Sequence, residues 1–125
     1  MKVGIIGIGL IGGSLAKSLR SNKLTNEIIG FDTSEEHMTT AIELGLIDRK
    51  VSLNTLCLEA ELILVTVPVN VTKALIPTLL DTITEKQTVV DFGSTKVGIC
   101  DAVKTHKNRK QFVAAHPIAG TENTG

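Results

Sequence analysis

The sequence has no Trp and no Tyr, and only three Phe among 125 residues. A core without large rings must be filled by branched aliphatics, which suits a buried parallel sheet covered by helices. Charge of one sign is missing too, since 13 Lys and Arg offset 13 Asp and Glu. Such a balance gives neither nucleic acid nor an anionic membrane surface an electrostatic reason to bind. The run KTHKNRK at 104–110, which contains His106, has no aromatic on which a base could stack. It reads as a solvated helix end and turn. There are two cysteines, Cys57 and Cys100, with neither a CxxC pair nor a His at metal-ligand spacing. They read as packing residues in a reducing compartment, the cytoplasm, and no metal is expected. No apolar run approaches the ~20 residues of a membrane span. The apolar start at 3–10 runs straight into Gly and Ser, unlike a signal peptide.

What is present is an alternation. A length of 125 residues fits one domain, able to bury about two-thirds of its unfolded surface. VGIIG at 3–7 reads as a buried strand, and Ile11, Leu15 and Leu19 mark one face of a helix over 10–21. EIIGFD at 27–32 is a second strand. A helix follows, with Thr33 as N-cap, Glu36 completing a capping box and Gly45 closing it. The stretch 46–58 accommodates a short edge strand near 50–52 and one helical turn. ELILVTV at 61–67 is the plainest buried strand, and Pro68 stops it. A helix over 71–83 carries Pro77, which should kink it or cost it a hydrogen bond. TVVDF at 88–92, a helix over 96–106 and QFVAA at 111–115 complete the series. Strands alternating with helices predict an α/β fold of Rossmann type, doubly wound, with a mainly parallel sheet and helices on both faces.

Gly7, Gly9 and Gly12 form GxGxxG between the first strand and the first helix, and Asp32 ends the next strand twenty residues past Gly12. In that context the motif is a dinucleotide-binding fingerprint. Gly7 permits the tight turn, Gly9 lets a pyrophosphate approach the backbone, and Gly12 lets the helix pack close to the sheet. The backbone from Gly9 through Leu10 and Ile11 to Gly12 then offers free N–H groups to the phosphates. Asp32 can accept from both hydroxyls of the adenine ribose and would repel a 2′-phosphate, so the cofactor expected is NAD rather than NADP.

Ligands of an open parallel sheet bind beyond the carboxyl ends of its strands. The segments 66–69, with Val67 and Pro68 beside the cofactor, 91–96 and 116–122 should gather there with the glycine turn. His116 is a candidate base, although spacing alone fits a loop-capping role equally well. Ser94 shares that region. Asp91 reads as structural more readily than as a site residue. His37 reads as an inert residue on a charged helix surface.

Together the segments VGIIGIGLIGGSLAKSLR at 3–20, IIGFD at 28–32, VTVPV at 65–69, VVDFGSTK at 89–96 and AAHPIAGTENTG at 114–125 resemble the prephenate and arogenate dehydrogenases. The pairing of GSTK with HPIAGTE is the specific part. The resemblance implies NAD-dependent oxidative decarboxylation of prephenate to 4-hydroxyphenylpyruvate, on the route to tyrosine. It implies His116 as the base at the ring hydroxyl, Ser94 as the group orienting it, and Gly120, Thr121 and Glu122 lining the substrate pocket. Lys96 matches a family lysine of open role. It also implies a helical second domain after residue 125, which supplies arginine for the substrate carboxylates and forms a homodimer. Residues 1–125 would then hold the cofactor site and part of the active site, and would turn over little substrate alone. Arogenate dehydrogenase, or an NAD-binding module without catalysis, are the alternatives. Retention of both Ser94 and His116 speaks against the module.

Overall fold

The computed structural model describes residues 1–67, 69–92 and 109–114. The strands are Lys2–Ile6 (β1), Glu27–Phe31 (β2), Arg49–Lys50 (β3), Leu62–Val65 (β4), Thr88–Asp91 (β5) and Phe112–Ala114 (β6), most of them short runs rich in Val, Ile and Leu, with the exposed pair β3 the exception. Between them lie the helices Leu10–Ser21 (α1), Glu35–Glu43 (α2), Leu53–Glu59 (α3) and Val69–Thr82 (α4). The strands form one six-stranded sheet in the order β3-β2-β1-β4-β5-β6, and every pair is parallel. This is the Rossmann order, and the chain changes direction across the sheet between β1 and β4.

Alternation along each strand builds two cores. Val3, Ile5, Ile28 and Leu64 face α1 and α2, where they pack with Ala16 and Ala41. Ile6, Ile29, Ile63, Val65 and Val89 face the opposite way, onto Leu56 and Cys57 of α3 and Ile76, Leu79 and Leu80 of α4. Neighbouring residues serve opposite faces because successive side chains of a strand alternate. Each fully buried Ile or Leu stabilises by roughly 1.5–3 kcal/mol over exposure. Close helix–sheet approach is obtained with small residues. A Cβ on Gly4 of β1 would come within 2.7 Å of Leu56 and 2.9 Å of Ala60, so α3 rests on the strand's backbone.

Several local expectations change. The buried face of α1 is centred on Gly12 and Ala16, flanked by half-buried Leu15 and Leu19, whereas Ile11 is 40% exposed. Spacing alone ranked Ile11 with the leucines, but close packing selects the two small residues. The N-cap of α2 is Ser34, not Thr33: its hydroxyl accepts from the His37 N–H at 3.2 Å. The start moves because Asp32 Oδ1 accepts from the Ser34 N–H at 2.8 Å, holding Ser34 in an extended conformation ahead of the helix. Gly45 closes this segment at φ +73°, as its position after the helix requires. Helix α3 has seven residues, nearer two turns than one, and α4 runs past Pro77 to Thr82. The helix expected over 96–106 lies outside the described residues.

Gln87 is buried where α3, α4 and β5 meet. Its amide nitrogen donates to the carbonyls of Cys57 at 2.7 Å and Ala60 at 2.6 Å, and its oxygen accepts from the Thr84 N–H at 2.9 Å. The side chain thereby serves the carbonyl end of α3. Replacing Gln87 with Leu keeps the volume and leaves these groups without partners. Urea denaturation of Gln87→Leu should show a loss of about 1–3 kcal/mol. An unchanged midpoint would mean that water replaces the amide.

Candidate functional site

β1 ends at Ile6 and α1 begins at Leu10, so the chain has three residues in which to turn. Gly7 adopts φ +94°, a conformation that side chains disfavour, and a Cβ there would lie 2.9 Å from Val67 Cγ1. Its N–H donates to the Phe31 carbonyl at 2.8 Å. Its carbonyl accepts from the Thr66 hydroxyl, which also reaches the Ile6 carbonyl at 3.2 Å. Gly12 sits beneath this turn, where a Cβ would overlap the Gly7 carbonyl oxygen and crowd Thr66. Two of the three motif glycines are therefore demanded by the protein's own packing.

Gly9 is different. Among the described residues, a Cβ built on it meets no atom within 4 Å. As N-cap of α1 it contributes no side-chain hydrogen bond, and the first turn holds no acid. Among the described residues, then, neither the cap nor an acid of that turn neutralises the first-turn amides and the positive end of the helix dipole. Helix α2 contrasts with it, being capped by Ser34 and carrying Glu35 and Glu36 in its first turn.

Asp32 follows β2 and is mostly buried, its side chain 12% exposed. Oδ2 accepts from the Ile8 N–H at 2.8 Å and lies 3.2 Å from His37 Nδ1, while Oδ1 takes the Ser34 N–H. Burial pushes the carboxyl's pKa up. The bonds from Ser34, Ile8 and His37 outweigh burial and hold it below the ordinary aspartate value. Asp32 is therefore ionised at neutral pH, and Oδ1 retains room for a further donor.

These groups converge on a cleft of about 670 Å³ at the carboxyl ends of β1, β2 and β4, lined by Gly7, Gly9, Asp32, His37, Thr66 and Val67 among others. A larger groove of about 900 Å³ runs between α1 and α2 and meets the cleft at Gly9 and His37. The cleft is the candidate site because the three strand ends and the unneutralised helix end meet there. It offers amide donors suited to an anion and a carboxylate suited to a diol.

Of the residues singled out from sequence, Gly7, Gly9, Asp32 and Val67 line this cleft together. Leu10 begins α1, Gly12 packs beneath the turn, and Ile11 stands on the exposed side. Pro68, Ser94, Lys96, His116, Gly120, Thr121 and Glu122 lie outside the described residues. Asp91 is fully buried at the end of β5. Thr66, from a segment expected at this end of the sheet, lines the cleft and also clamps the turn. One residue was missed. His37, read as inert, touches Asp32; its signal was a place one turn beyond the cap of α2. Among the described residues, no His, Cys, Asp and Glu side chains cluster to hold a metal.

The whole architecture recurs in known proteins. The chain is 36% identical over 124 residues to prephenate dehydrogenase of Bacillus subtilis, covering 97% of this chain and 33% of that protein. It thus spans about a third of that relative's length. Its fold matches the crystal structure of Aquifex aeolicus prephenate dehydrogenase in complex with hydroxyphenyl propionate and NAD+ at TM-score 0.83 and 34% identity, over 100% of this chain and 44% of that one. Synechocystis arogenate dehydrogenase matches at TM-score 0.80 and 29% identity, over 98% of this chain and 42% of that one. Residues 15–125 match the family described as prephenate dehydrogenase, nucleotide-binding domain, and the chain belongs to that family.

Proposed function

We propose that this chain is the NAD-binding part of a prephenate dehydrogenase, which oxidatively decarboxylates prephenate to 4-hydroxyphenylpyruvate. The observation that carries the reading is the cradle at Gly9: an uncapped helix start with space where a Cβ would stand, facing an ionised Asp32 across one cleft. A pyrophosphate suits the first feature and an adenine ribose the second. Gly7, Gly9, Leu10, Ile11 and Gly12 would present backbone to the phosphates, Asp32 would take the ribose hydroxyls, and Val67 and Pro68 would flank the cofactor. Likeness to a Synechocystis arogenate dehydrogenase keeps arogenate as the second substrate to test.

When bound, NAD supplies the acceptor for the hydride that leaves the ring carbon bearing the hydroxyl. The family resemblance supports His116 as the group that takes the hydroxyl proton at an imidazole nitrogen. Removing that proton raises electron density on the carbon and eases hydride loss. The ring carboxylate departs as carbon dioxide, aromatisation drives the step, and the imidazolium returns the proton to the phenolic oxygen. Ser94 orients His116 and substrate, while Gly120, Thr121 and Glu122 line the ring pocket. The same reading includes a helical partner domain that binds the substrate carboxylates and makes a homodimer, working in tyrosine biosynthesis in the cytoplasm. Among the described residues, no helix is long and apolar enough to cross a membrane.

Three outcomes test this. NAD should bind far more tightly than NADP by titration, and Asp32→Ser should narrow the ratio. Because Asp32 also holds the Ile8 N–H, that variant should weaken NAD as well, so the ratio is the readout. Equal affinities in the unaltered protein would take Asp32 away from the ribose.

Gly9→Val and Gly12→Val should fail differently. Gly9→Val should fold normally yet lose at least tenfold in NAD affinity, about 1.4 kcal/mol or more. Gly12→Val should lose thermal stability, because its side chain meets the Gly7 carbonyl. Normal NAD binding by Gly9→Val would move the phosphate site elsewhere.

In the active enzyme, His116→Asn should lower kcat by roughly 10²–10⁴, the usual range for a general base, with NAD affinity almost unchanged. The unaltered enzyme should slow at low pH, because a protonated imidazole cannot accept the proton. Ser94→Ala should cost less. Near-normal kcat in His116→Asn would put the base in another loop.

A further inference from the structure

His37 lies in the first turn of α2, and its position is set twice. Its backbone N–H is held by the Ser34 hydroxyl at 3.2 Å, and its ring Nδ1 lies 3.2 Å from Asp32 Oδ2. An ionised carboxylate can only accept, so Nδ1 is the nitrogen that carries the proton. Nε2 is then an acceptor while the ring is neutral and becomes a donor when the ring is charged. The side chain is 52% exposed and stands where the cleft meets the groove between α1 and α2. This is the side from which a group on the adenine ribose would approach Asp32.

We infer that His37 is a second determinant of the choice between NAD and NADP, acting through Asp32. The inference rests on the NAD-binding reading above. With a neutral ring, Asp32 keeps its full charge, and Nε2 offers a phosphate oxygen only a lone pair. Both oppose a ribose 2′-phosphate. With a charged ring, the carboxylate is offset, and Nε2–H becomes a donor to that phosphate. The imidazolium also holds Oδ2 more strongly than the neutral ring does, which weakens the carboxylate's bonds to the ribose hydroxyls and so NAD. Both effects narrow the preference when the ring is protonated.

Other charges near the ring are few. Glu36 adjoins it on α2, and Lys17 and Arg20 face the same groove from α1. Arg20 is engaged with Asp48 at 2.9 Å, and Glu35 with Lys50 at 3.1 Å. Lys17 and Arg20 are common to the unaltered protein and every variant at position 37. A 2′-phosphate itself gains a proton near pH ~6, which narrows the ratio in any protein. The informative quantity is therefore the difference between the unaltered protein and variants at position 37.

The experiment measures dissociation constants for NAD and NADP at about pH 5.5 and about pH 8 in the unaltered protein, His37→Gln and His37→Arg. Gln keeps a hydrogen bond to Asp32 without charge, and Arg is charged throughout. At the higher pH, the unaltered protein and His37→Gln should discriminate alike. At the lower pH, the unaltered protein's NADP-to-NAD ratio of dissociation constants should be smaller than that of His37→Gln by roughly two- to fivefold, the size expected of one half-exposed charge pair. His37→Arg should show the smaller ratio at both values. Parallel pH profiles for the unaltered protein and His37→Gln would overturn the role of His37 while leaving NAD binding intact. Failure to bind either cofactor at both pH values would overturn the NAD reading, and this inference with it.

Discussion

The geometry of this protein depends on the turn after β1, where the backbone must take a positive φ at Gly7 and begin α1 three residues later. That turn is pinned from three sides. The Phe31 carbonyl of β2 holds the Gly7 N–H, Thr66 after β4 holds the Gly7 carbonyl, and Asp32 holds the Ile8 N–H. Each partner belongs to a strand directly beside β1 or to the residue that follows it. The fixed turn therefore depends on the assembled sheet. Once fixed, the turn places the start of α1 over the point at which the chain changes direction across the sheet.

Asp32 illustrates how one side chain serves structure and recognition together. Its bonds to Ile8 and Ser34 join the glycine turn to the start of α2. The same bonds keep it ionised despite burial, because they favour the charged form more than burial disfavours it. An acid held in that state needs no rearrangement to accept hydroxyl donors. His37 adds a second polar side chain to the same cleft, against Asp32. The groups that shape the cleft thus also set its electrostatics.

Much of the fold was legible in the residues. The strands at β1, β2, β4 and β5 were evident as short aliphatic runs, because a parallel strand buried on both faces must be apolar at nearly every position. The GxGxxG spacing with Asp32 beyond it pointed to the cleft for an equally local reason: the motif is one turn and one helix start. Finer points were less legible. Ile11 and the leucines of α1 share a spacing, yet close packing against the Gly7 turn buries Gly12 and Ala16 instead. Thr33 and Ser34 are both good caps, and the choice fell to a hydrogen bond from Ser34 back to Asp32.

The sequence by itself determined the alternation of strands and helices, the position of the glycine turn and the acid that follows it, since each is written in neighbouring residues. Only the tertiary structure decided what each glycine is for. Gly7 answers to Thr66 and Val67, brought beside it across β1 and β4, and Gly12 to the Gly7 carbonyl and Thr66, whereas Gly9 meets no atom of the described residues. It likewise decided that His37, half-exposed on its helix, stands against Asp32. Such distinctions depend on distances between segments far apart in the chain, and a linear pattern carries no record of them.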